Sequence, residues 1–339
     1  MALPKINGCT VSPIPMSASD LSNDHSSESA AWALIGALLV AVGALQLRAP
    51  LPIEPATLAA LITACAALGG TAIFYRRVRR QENFAVICIG LAQVLLFSAI
   101  GSILSYMLAR EGGALWDARL ARWDRALGFD WLAYVRLIDA RGWLVAPVRW
   151  AYASLVSQVV VLVLALGFSN QLATLRRMLL AGMLSGTITI LLSALFPAVG
   201  HYVHDGLTVA DFQHINPWAG YAHQADFTAL RNGTMTILHM DKMQGIITFP
   251  SYHAGLATVT LWGFWSSRMA WLKWPGAAVA LATLLATPID GGHYLVDVLA
   301  GMAAGAIAIA LARPAIRWRP ADMTIRSWPF RRSRAAFVQ

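Results

Sequence analysis

The chain has 339 residues, of which 58% are hydrophobic and 13% charged, and its formal net charge is +9. A soluble domain carries roughly 25% charged residues, so this composition excludes an ordinary soluble protein and indicates a membrane protein. The positive charge lies mainly in short Arg clusters between apolar segments and near the C-terminus. That distribution is typical of cytoplasmic membrane loops, and it argues against nucleic acid as a partner.

Apolar segments predict an all-α fold, a polytopic membrane helical bundle with about eight spans. Crossing a bilayer needs about 20 mostly apolar residues. The candidate segments lie at 30–47, 55–75, 84–108, 143–168, 177–198, 253–271, 274–289 and 293–312.

Four parts of the chain follow from these segments. Residues 1–29 are rich in Ser, Pro and Asp, and we expect them to form a disordered cytoplasmic tail. Residues 30–83 supply two extra N-terminal spans, and residues 84–312 supply a six-span core. Residues 313–339 are a basic cytoplasmic tail.

The basic residues predict the orientation in the membrane. RRVRR at 76–80, LRR at 175–177, the pair Arg268 and Lys273, and the Arg-rich C-terminal tail all fall on one side of an eight-span chain. The positive-inside rule therefore places both termini in the cytoplasm, in a multi-pass protein of the inner membrane. The loop 199–252 is then non-cytoplasmic, and the stretch 109–142 has the apolar spacing of a helix lying in the interface.

Two histidines meet at the non-cytoplasmic face in this topology. In GGHYLVDVLAG, His293 and Asp297 are four residues apart, hence on one face of a helix start. A carboxylate there orients one imidazole nitrogen and leaves the other free as a nucleophile or general base. Gly292, just before this His, allows close backbone approach and offers its amide to an anion.

The second histidine opens the segment FPSYHAG. Ser251 is placed to cap the helix that begins near Tyr252, and the first-turn amides with the hydroxyl form a small anion site. His253 stands beside that site and is able to protonate a leaving group. Two His, one Asp and one Ser around a shared pocket suit phosphate chemistry without a metal.

These residues carry a family resemblance. PSYH at 250–253 resembles the Pro-Ser-Gly-His motif of the type 2 phosphatidic acid phosphatase and vanadium haloperoxidase superfamily, with Tyr252 in place of Gly, and HYLVD at 293–297 resembles its His-x-x-x-Asp motif. The forms FPSYHAG and GGHYLVDVLAG, with WDRALGFDW at 123–131 and LRNGT at 230–234, are more similar to the branch with inositol phosphorylceramide synthase and sphingomyelin synthase. The resemblance covers roughly residues 84–312.

The resemblance implies roles for individual residues. His293 would form a phosphohistidine, Asp297 would orient it, and His253 would protonate the leaving group. Ser251, Tyr252 and Gly292 would help to hold the phosphoryl group. No cofactor and no metal is implied. The substrate would be a membrane lipid with a phosphate headgroup, with a lipid or polyol alcohol as acceptor.

Two departures from the phosphatase pattern affect the expected activity. Ala286 and Thr287 stand where the phosphatase motif has Ser-Arg, and the expected Lys- and Arg-Pro-containing motif is not recognisable. Arg231 and Lys242, the two basic residues of 199–252 apart from His, are the remaining candidates to neutralise phosphate. This pattern favours a sphingolipid-type or inositol-phosphate headgroup transferase, with a polyprenyl or phosphatidate phosphatase as the alternative.

Two further interpretations remain open. HYVHD at 201–205 suggests zinc, but it lacks the helical His-Glu-x-x-His pattern and a Cys partner. A non-catalytic transporter or scaffold would also account for an apolar bundle. It would leave His253, His293 and Asp297 without a task near the hydrocarbon, where ionisable groups are costly.

Overall fold

The computed structural model describes residues 18–313 of the chain. Within that range the backbone is helical or loop, apart from an isolated β-bridge between Ile53 and Leu238. The helices are α1 (Ala18–Arg48), α2 (Pro55–Phe74), α3 (Glu82–Arg110), α4 (Asp117–Ala126), α5 (Trp131–Asp139), α6 (Gly142–Ala153), α7 (Leu155–Phe168), α8 (Leu172–Leu195), α9 (His201–His204), α10 (Trp218–Ala222), α11 (Gln224–Arg231), α12 (Tyr252–Ser266), α13 (Ala270–Asp290) and α14 (Leu295–Leu311). The predicted all-α helical bundle is confirmed.

Helix length separates the predicted spans into two groups. Among the described residues, five helices are long and apolar enough to cross a membrane, namely α1 from Ser26, α2 with its extension to Arg79, α3, α8 and α13. The pair α6 and α7 raises the number to six if it is one span, bent by 51°. The remaining predicted spans are shorter helices, α12 with 15 residues and α14 with 17. Every predicted segment thus coincides with a helix, while length supports five or six full spans.

Glycines bring α12 and α14 into backbone contact. A Cβ atom on Gly301 would collide with the carbonyl oxygen of Ser251, and one on Gly305 would lie 2.5 Å from the carbonyl oxygen of Gly255. Small residues four apart are the usual means of close helix approach in membranes. This contact fixes the start of α12 against the start of α14, where the motif residues lie.

The N-terminal segment differs from its prediction. Helix α1 begins at Ala18, so residues 18–29 are helical rather than disordered. Glu28 lies 3.0 Å from the guanidinium of Arg176, which is 4% exposed and also bonds Glu82 at 3.2 Å. The buried Arg on α8 needs carboxylate partners, and this requirement explains why the helix extends beyond the apolar segment. Residues 1–17 and 314–339, which contain the rest of the two predicted tails, lie outside the described residues.

The stretch 109–142 forms two helices rather than one. Helix α4 keeps part of the expected amphipathic pattern, since Leu120 is buried whereas Trp123 and Leu127 are exposed. The carboxylates of Asp117 and Asp124 on α4 are also buried. A buried carboxylate must be hydrogen-bonded, so α4 is tied to the protein and does not merely rest on the interface.

Candidate functional site

The two sequence motifs meet at a cavity of about 350 Å³. Three histidines line it: His253 from α12, His293 from the loop before α14, and His223 from the long loop region. Hydroxyl groups make up much of the remaining polar lining; they belong to Ser98, Ser102, Ser105, Tyr152, Thr248 and Tyr252. The cavity is therefore rich in hydroxyl and imidazole groups.

His293 lies between a carboxylate and a hydroxyl. Its Nδ1 is 3.4 Å from Oδ2 of Asp297, and its Nε2 is 3.4 Å from Oγ of Ser251. Asp297 is fully buried, and its Oδ2 also accepts the backbone N–H of Tyr294 at 3.0 Å. An ionised carboxylate only accepts hydrogen bonds, so when Asp297 is ionised Nδ1 carries the proton and Nε2 keeps its lone pair.

Ser251 is the N-cap of α12, as the sequence predicts. Its Oγ accepts the backbone N–H of Ala254 at 3.3 Å, and its own N–H donates to the carbonyl oxygen of Asp297 at 3.1 Å. The second bond joins the two motifs directly. The side chain of Ser251 is buried, so its hydroxyl is held where it contacts both the helix start and His293.

His253 is paired with a tyrosine that sequence reasoning missed. The rings of Tyr152 and His253 are stacked with centroids 4.2 Å apart and an interplanar angle of 7°. The Tyr152 hydroxyl lies 3.4 Å from Nδ1 of His253. Because the two rings are nearly parallel, this contact lies across the stack and out of the imidazole plane, so ring stacking and not an in-plane hydrogen bond positions His253. Tyr152 lies in the middle of an apolar segment, and no motif distinguishes it.

Of the two other residues predicted to hold the phosphoryl group, Tyr252 lines the cavity and Gly292 does not. The ring of Tyr252 lines the cavity, and its hydroxyl lies 3.4 Å from the carbonyl oxygen of Gly182. Gly291 lines the cavity, whereas Gly292 lies behind it with φ +65° and its carbonyl oxygen accepts the N–H of His201. A Cβ atom on Gly292 would lie 2.7 Å from Tyr202, so both the conformation and the space require glycine.

The two basic residues predicted to contact phosphate lie away from the cavity. Arg231 donates to the carbonyl oxygen of Gly113 and lies over the ring of Phe227. Lys242 is exposed. Among the described residues, no Lys or Arg side chain lines the cavity. Cationic charge there would come from the histidines.

Two aspartates of α4 hold the backbone around the His293–Asp297 motif. The carboxylate of Asp124 accepts the N–H groups of Leu295 and Val296 at 2.7 and 2.9 Å, and so caps α14 from outside the helix. The carboxylate of Asp117 accepts the Tyr294 hydroxyl at 2.9 Å and the N–H of Gly200 at 2.9 Å. Sequence reasoning missed both residues, since their partners lie far along the chain.

His223 is a further cavity residue that sequence reasoning left in the polar loop. It is buried, and its Nε2 lies 3.1 Å from the carbonyl oxygen of Val199, to which it donates. Burial disfavours the charged imidazolium and lowers the pKa of His223. The hydrogen bond to the Val199 carbonyl acts in the opposite direction but is the smaller effect. His223 is therefore neutral at pH 7 and has a fixed donor direction.

The HYVHD segment binds its own neighbours. His201 stacks on Trp131, with ring centroids 4.3 Å apart, and its Nδ1 lies 2.8 Å from Oδ2 of Asp205. Within residues 18–313, no three His, Cys, Asp or Glu side chains come together as metal ligands would. The two histidines of this segment are separate, since His201 is buried and His204 is exposed.

Comparison with known proteins identifies the family. The family model described as PAP2 superfamily matches residues 118–311, which include α4, both motifs and the cavity histidines. No curated protein and no solved structure matches the chain. The family match indicates an enzyme of the phosphatase or phosphotransferase type and does not extend to the inositol phosphorylceramide and sphingomyelin synthase branch. With more than half of its length covered by this model, the chain belongs to the PAP2 superfamily.

Proposed function

We propose that the protein is an integral membrane phosphotransferase that moves a phosphoryl-linked headgroup between lipid alcohols through a phosphohistidine at His293. The observation that carries this proposal is the placement of His293 between Asp297 and Ser251 on the same cavity as His253. One imidazole is oriented as a nucleophile and the other as a proton carrier, which is the arrangement that covalent phosphoryl transfer requires.

The first half-reaction breaks the donor ester. Nε2 of His293 attacks phosphorus while the P–O bond to the leaving alcohol breaks. That oxygen takes a proton from Nε2 of His253, which enters the step as an imidazolium and leaves it as a neutral imidazole. Once Nε2 of His293 is bonded to phosphorus, the Ser251 hydroxyl is free to donate a hydrogen bond to a phosphoryl oxygen. Asp297 accepts from Nδ1 throughout and stabilises the positive charge that develops on the His293 ring.

The second half-reaction releases the phosphoryl group. An acceptor alcohol gives its proton to Nε2 of His253 and attacks phosphorus, and the P–N bond to His293 breaks. The Tyr152 ring, stacked on His253, holds the imidazole in one orientation in both steps. Water in place of the alcohol gives hydrolysis by the same route.

The lining of the cavity favours a phosphodiester over a phosphomonoester. A monoester carries nearly two negative charges at pH 7, whereas a diester carries one. With no Lys or Arg among the described lining residues and a neutral His223, the cavity suits the lower charge. The many hydroxyl groups around it suit a polyol headgroup, such as an inositol phosphate, because they donate and accept hydrogen bonds.

The charge distribution supports an inner-membrane location with the site on the non-cytoplasmic face. The ion-paired end of the bundle contains Glu28, Glu82 and Arg176, at or near the starts of α3 and α8. The cavity is lined by the later parts of the same helices, at Ser105 of α3 and Ile190 of α8. If the ion-paired end faces the cytoplasm, as the positive-inside rule favours, the cavity lies on the opposite face and the C-terminus on the cytoplasmic side.

Hydrolysis by a polyprenyl or phosphatidate phosphatase is the second candidate, because water can replace the acceptor in the same site. Purified protein incubated with labelled lipid phosphates, diphosphates and phosphodiesters, with and without inositol or a lipid alcohol, separates the two. We expect an alcohol-dependent transfer product from phosphodiesters. Release of inorganic phosphate from monoesters alone would favour the phosphatase.

A trapping experiment tests the intermediate itself. Brief incubation with a phosphorus-labelled donor followed by alkaline quenching should leave acid-labile label on the peptide that contains His293. The His293→Ala variant should lose both label and turnover, whereas Lys242→Ala, on an exposed loop residue outside the cavity, should retain both. Full turnover by His293→Ala would refute the mechanism. Absence of turnover and label with every donor would favour the non-catalytic transporter or scaffold.

A further inference from the structure

A second, apolar groove lies beside the candidate active site. Its volume is about 170 Å³, and it lies among α3, α7, α8 and α12. Three residues line both spaces: Phe97 and Ser98 on α3, and Tyr252 at the start of α12. The groove and the cavity are therefore adjacent beside the Ser251–His253 motif, with the side chains of Phe97 and Tyr252 at the boundary between them.

The lining changes from polar to apolar along this path. Beyond Ser98 and Tyr252 the walls are almost entirely aliphatic, formed by Val156, Val159, Val160, Leu179, Leu256 and Val259 among others. On α12 the lining runs from Tyr252 to Thr260, about 12 Å at 1.5 Å per residue. A ligand in this groove is apolar over that length and polar only at the cavity end.

The groove opens toward the membrane. Val156 and Val160 of α7 are exposed on the surface of the bundle, at a helix apolar enough to cross the bilayer together with α6. The 51° bend between these helices separates Tyr152, which lines the cavity, from Val156, which lines the groove. Lipid is the medium that surrounds this opening, so a chain reaches it without crossing water.

We infer that this groove binds one hydrocarbon chain of the lipid substrate and so selects substrates by chain length. The occupant is a lipid with a single extended chain in the groove and its phosphoryl group at His293. This inference rests on the proposed function for the identity of the headgroup end. The position of the groove beside the cavity and its apolar walls support the groove itself.

Two neighbouring valines on α7 provide a matched pair of variants. Val160 is 39% exposed and lines the groove, whereas Val161 is 43% exposed and does not. Tryptophan at Val160 fills the groove, while tryptophan at Val161 adds the same bulk to the lipid-facing surface. Because both positions are partly exposed on one helix, neither variant disturbs a packed core.

The first measurement uses 4-nitrophenyl alkyl phosphodiesters with butyl, octyl and hexadecyl chains in detergent micelles. We expect Val160→Trp to lower kcat/KM for the hexadecyl ester about tenfold and to leave the butyl ester unchanged. Val161→Trp should match the wild type with all three. Identical chain-length profiles for the two variants would overturn the inference, and so would equal losses for butyl and hexadecyl esters in Val160→Trp.

The second measurement does not depend on turnover. A phospholipid with a diazirine at mid-chain is photolysed with the protein in vesicles, and the labelled residues are mapped by mass spectrometry. We expect groove residues of α7 and α12 to be labelled, with less label in Val160→Trp and no change in Val161→Trp. Labelling without turnover would support the groove and refute the proposed chemistry. Turnover without labelling of the groove would support the proposed chemistry and refute the groove.

Discussion

Asp124 contacts neither the cavity nor its histidines, yet it determines where they lie. Its two carboxylate oxygens accept the first free N–H groups of α14, directly after His293 and Tyr294. A helix start without such an acceptor leaves buried donors unpaired. The carboxylate therefore holds the loop that carries the nucleophile, and it does so from a helix 171 residues earlier in the chain.

We predict that Asp124→Ala lowers kcat at least tenfold with little change in KM, because the nucleophile is displaced while the groove and cavity remain. The free energy of unfolding should fall by about 1–3 kcal/mol, the cost of unpaired buried donors. Asp124→Asn keeps one acceptor oxygen and should recover part of kcat. Steady-state kinetics with thermal unfolding in detergent measures each effect.

Asp130 is the matched control for this variant. It is also an N-cap aspartate, on the exposed start of α5, where Oδ1 accepts the N–H of Ala133 at 2.9 Å. Asp130→Ala should cost up to about 1 kcal/mol, as cap removal commonly does, with kcat unchanged. Equal loss of kcat in both variants would show that Asp124 acts through general stability and not through position.

The residues that the sequence could indicate are those whose partners are close along the chain. The spacing of His293 and Asp297 predicts their pairing, and the position of Ser251 before an apolar run predicts a cap. Tyr152 and Asp124 had no such signal. Tyr152 meets His253 across 101 residues of chain, a contact that only tertiary packing determines.

At the scale of the helices, the pair α12 and α14 forms the frame of the site. Each carries one motif at its N-terminal end, and the glycine contacts between them fix the distance from Ser251 to His293. The spacing of Gly301 and Gly305 is visible in the sequence as a small-residue pair. It does not reveal which helix lies against it, so the frame itself could not be predicted.

Gly301→Ala should separate these helices. The added methyl collides with the carbonyl oxygen of Ser251, which is backbone and cannot rotate away. We expect a loss of about 1–3 kcal/mol in unfolding free energy from overpacking, with turnover strongly reduced because the two motifs move apart. Thermal unfolding and turnover should be measured on the same preparation.

Gly70→Ala provides the comparison within the same protein. Gly70 lies in α2, and a Cβ atom there would have nothing within 4 Å. Alanine should therefore stabilise the helix by up to about 1 kcal/mol and leave turnover unchanged. If Gly301→Ala behaves like Gly70→Ala, then close contact of α12 with α14 is not what places the motifs.

For the whole molecule, hydropathy located every apolar segment, and the all-α bundle followed from it. It did not predict that α12 and α14 would be shorter than a full span, because the apolar residues continue past the helix ends in the sequence. Nor did composition indicate that α1 would begin at Ala18. Glu28, ten residues into this helix, pairs with Arg176, a contact that only tertiary packing supplies.

Topology has a direct test in a variant whose three natural cysteines are replaced by alanine. Thr236 and Arg79 are exposed on the long loop and at the end of α2, respectively. A membrane-impermeant maleimide should label Thr236→Cys on intact cells, and Arg79→Cys only after permeabilisation. If both cysteines are labelled on intact cells, positions 79 and 236 lie on the same side of the membrane. That result would refute the odd number of crossings between them and the proposed non-cytoplasmic location of the site.

The shortness of α12 has a consequence for the balance between products. Fifteen residues extend about 22 Å, against a hydrocarbon thickness of about 30 Å. If its last turn lies at the cytoplasmic boundary, as the proposed topology has it, the helix begins about 8 Å inside the opposite one. The proposed phosphohistidine would then form where water activity is low. The depth of the site in the bilayer would thus set how often the intermediate reacts with an alcohol and how often with water. Local thinning of the membrane should increase the share of hydrolysis.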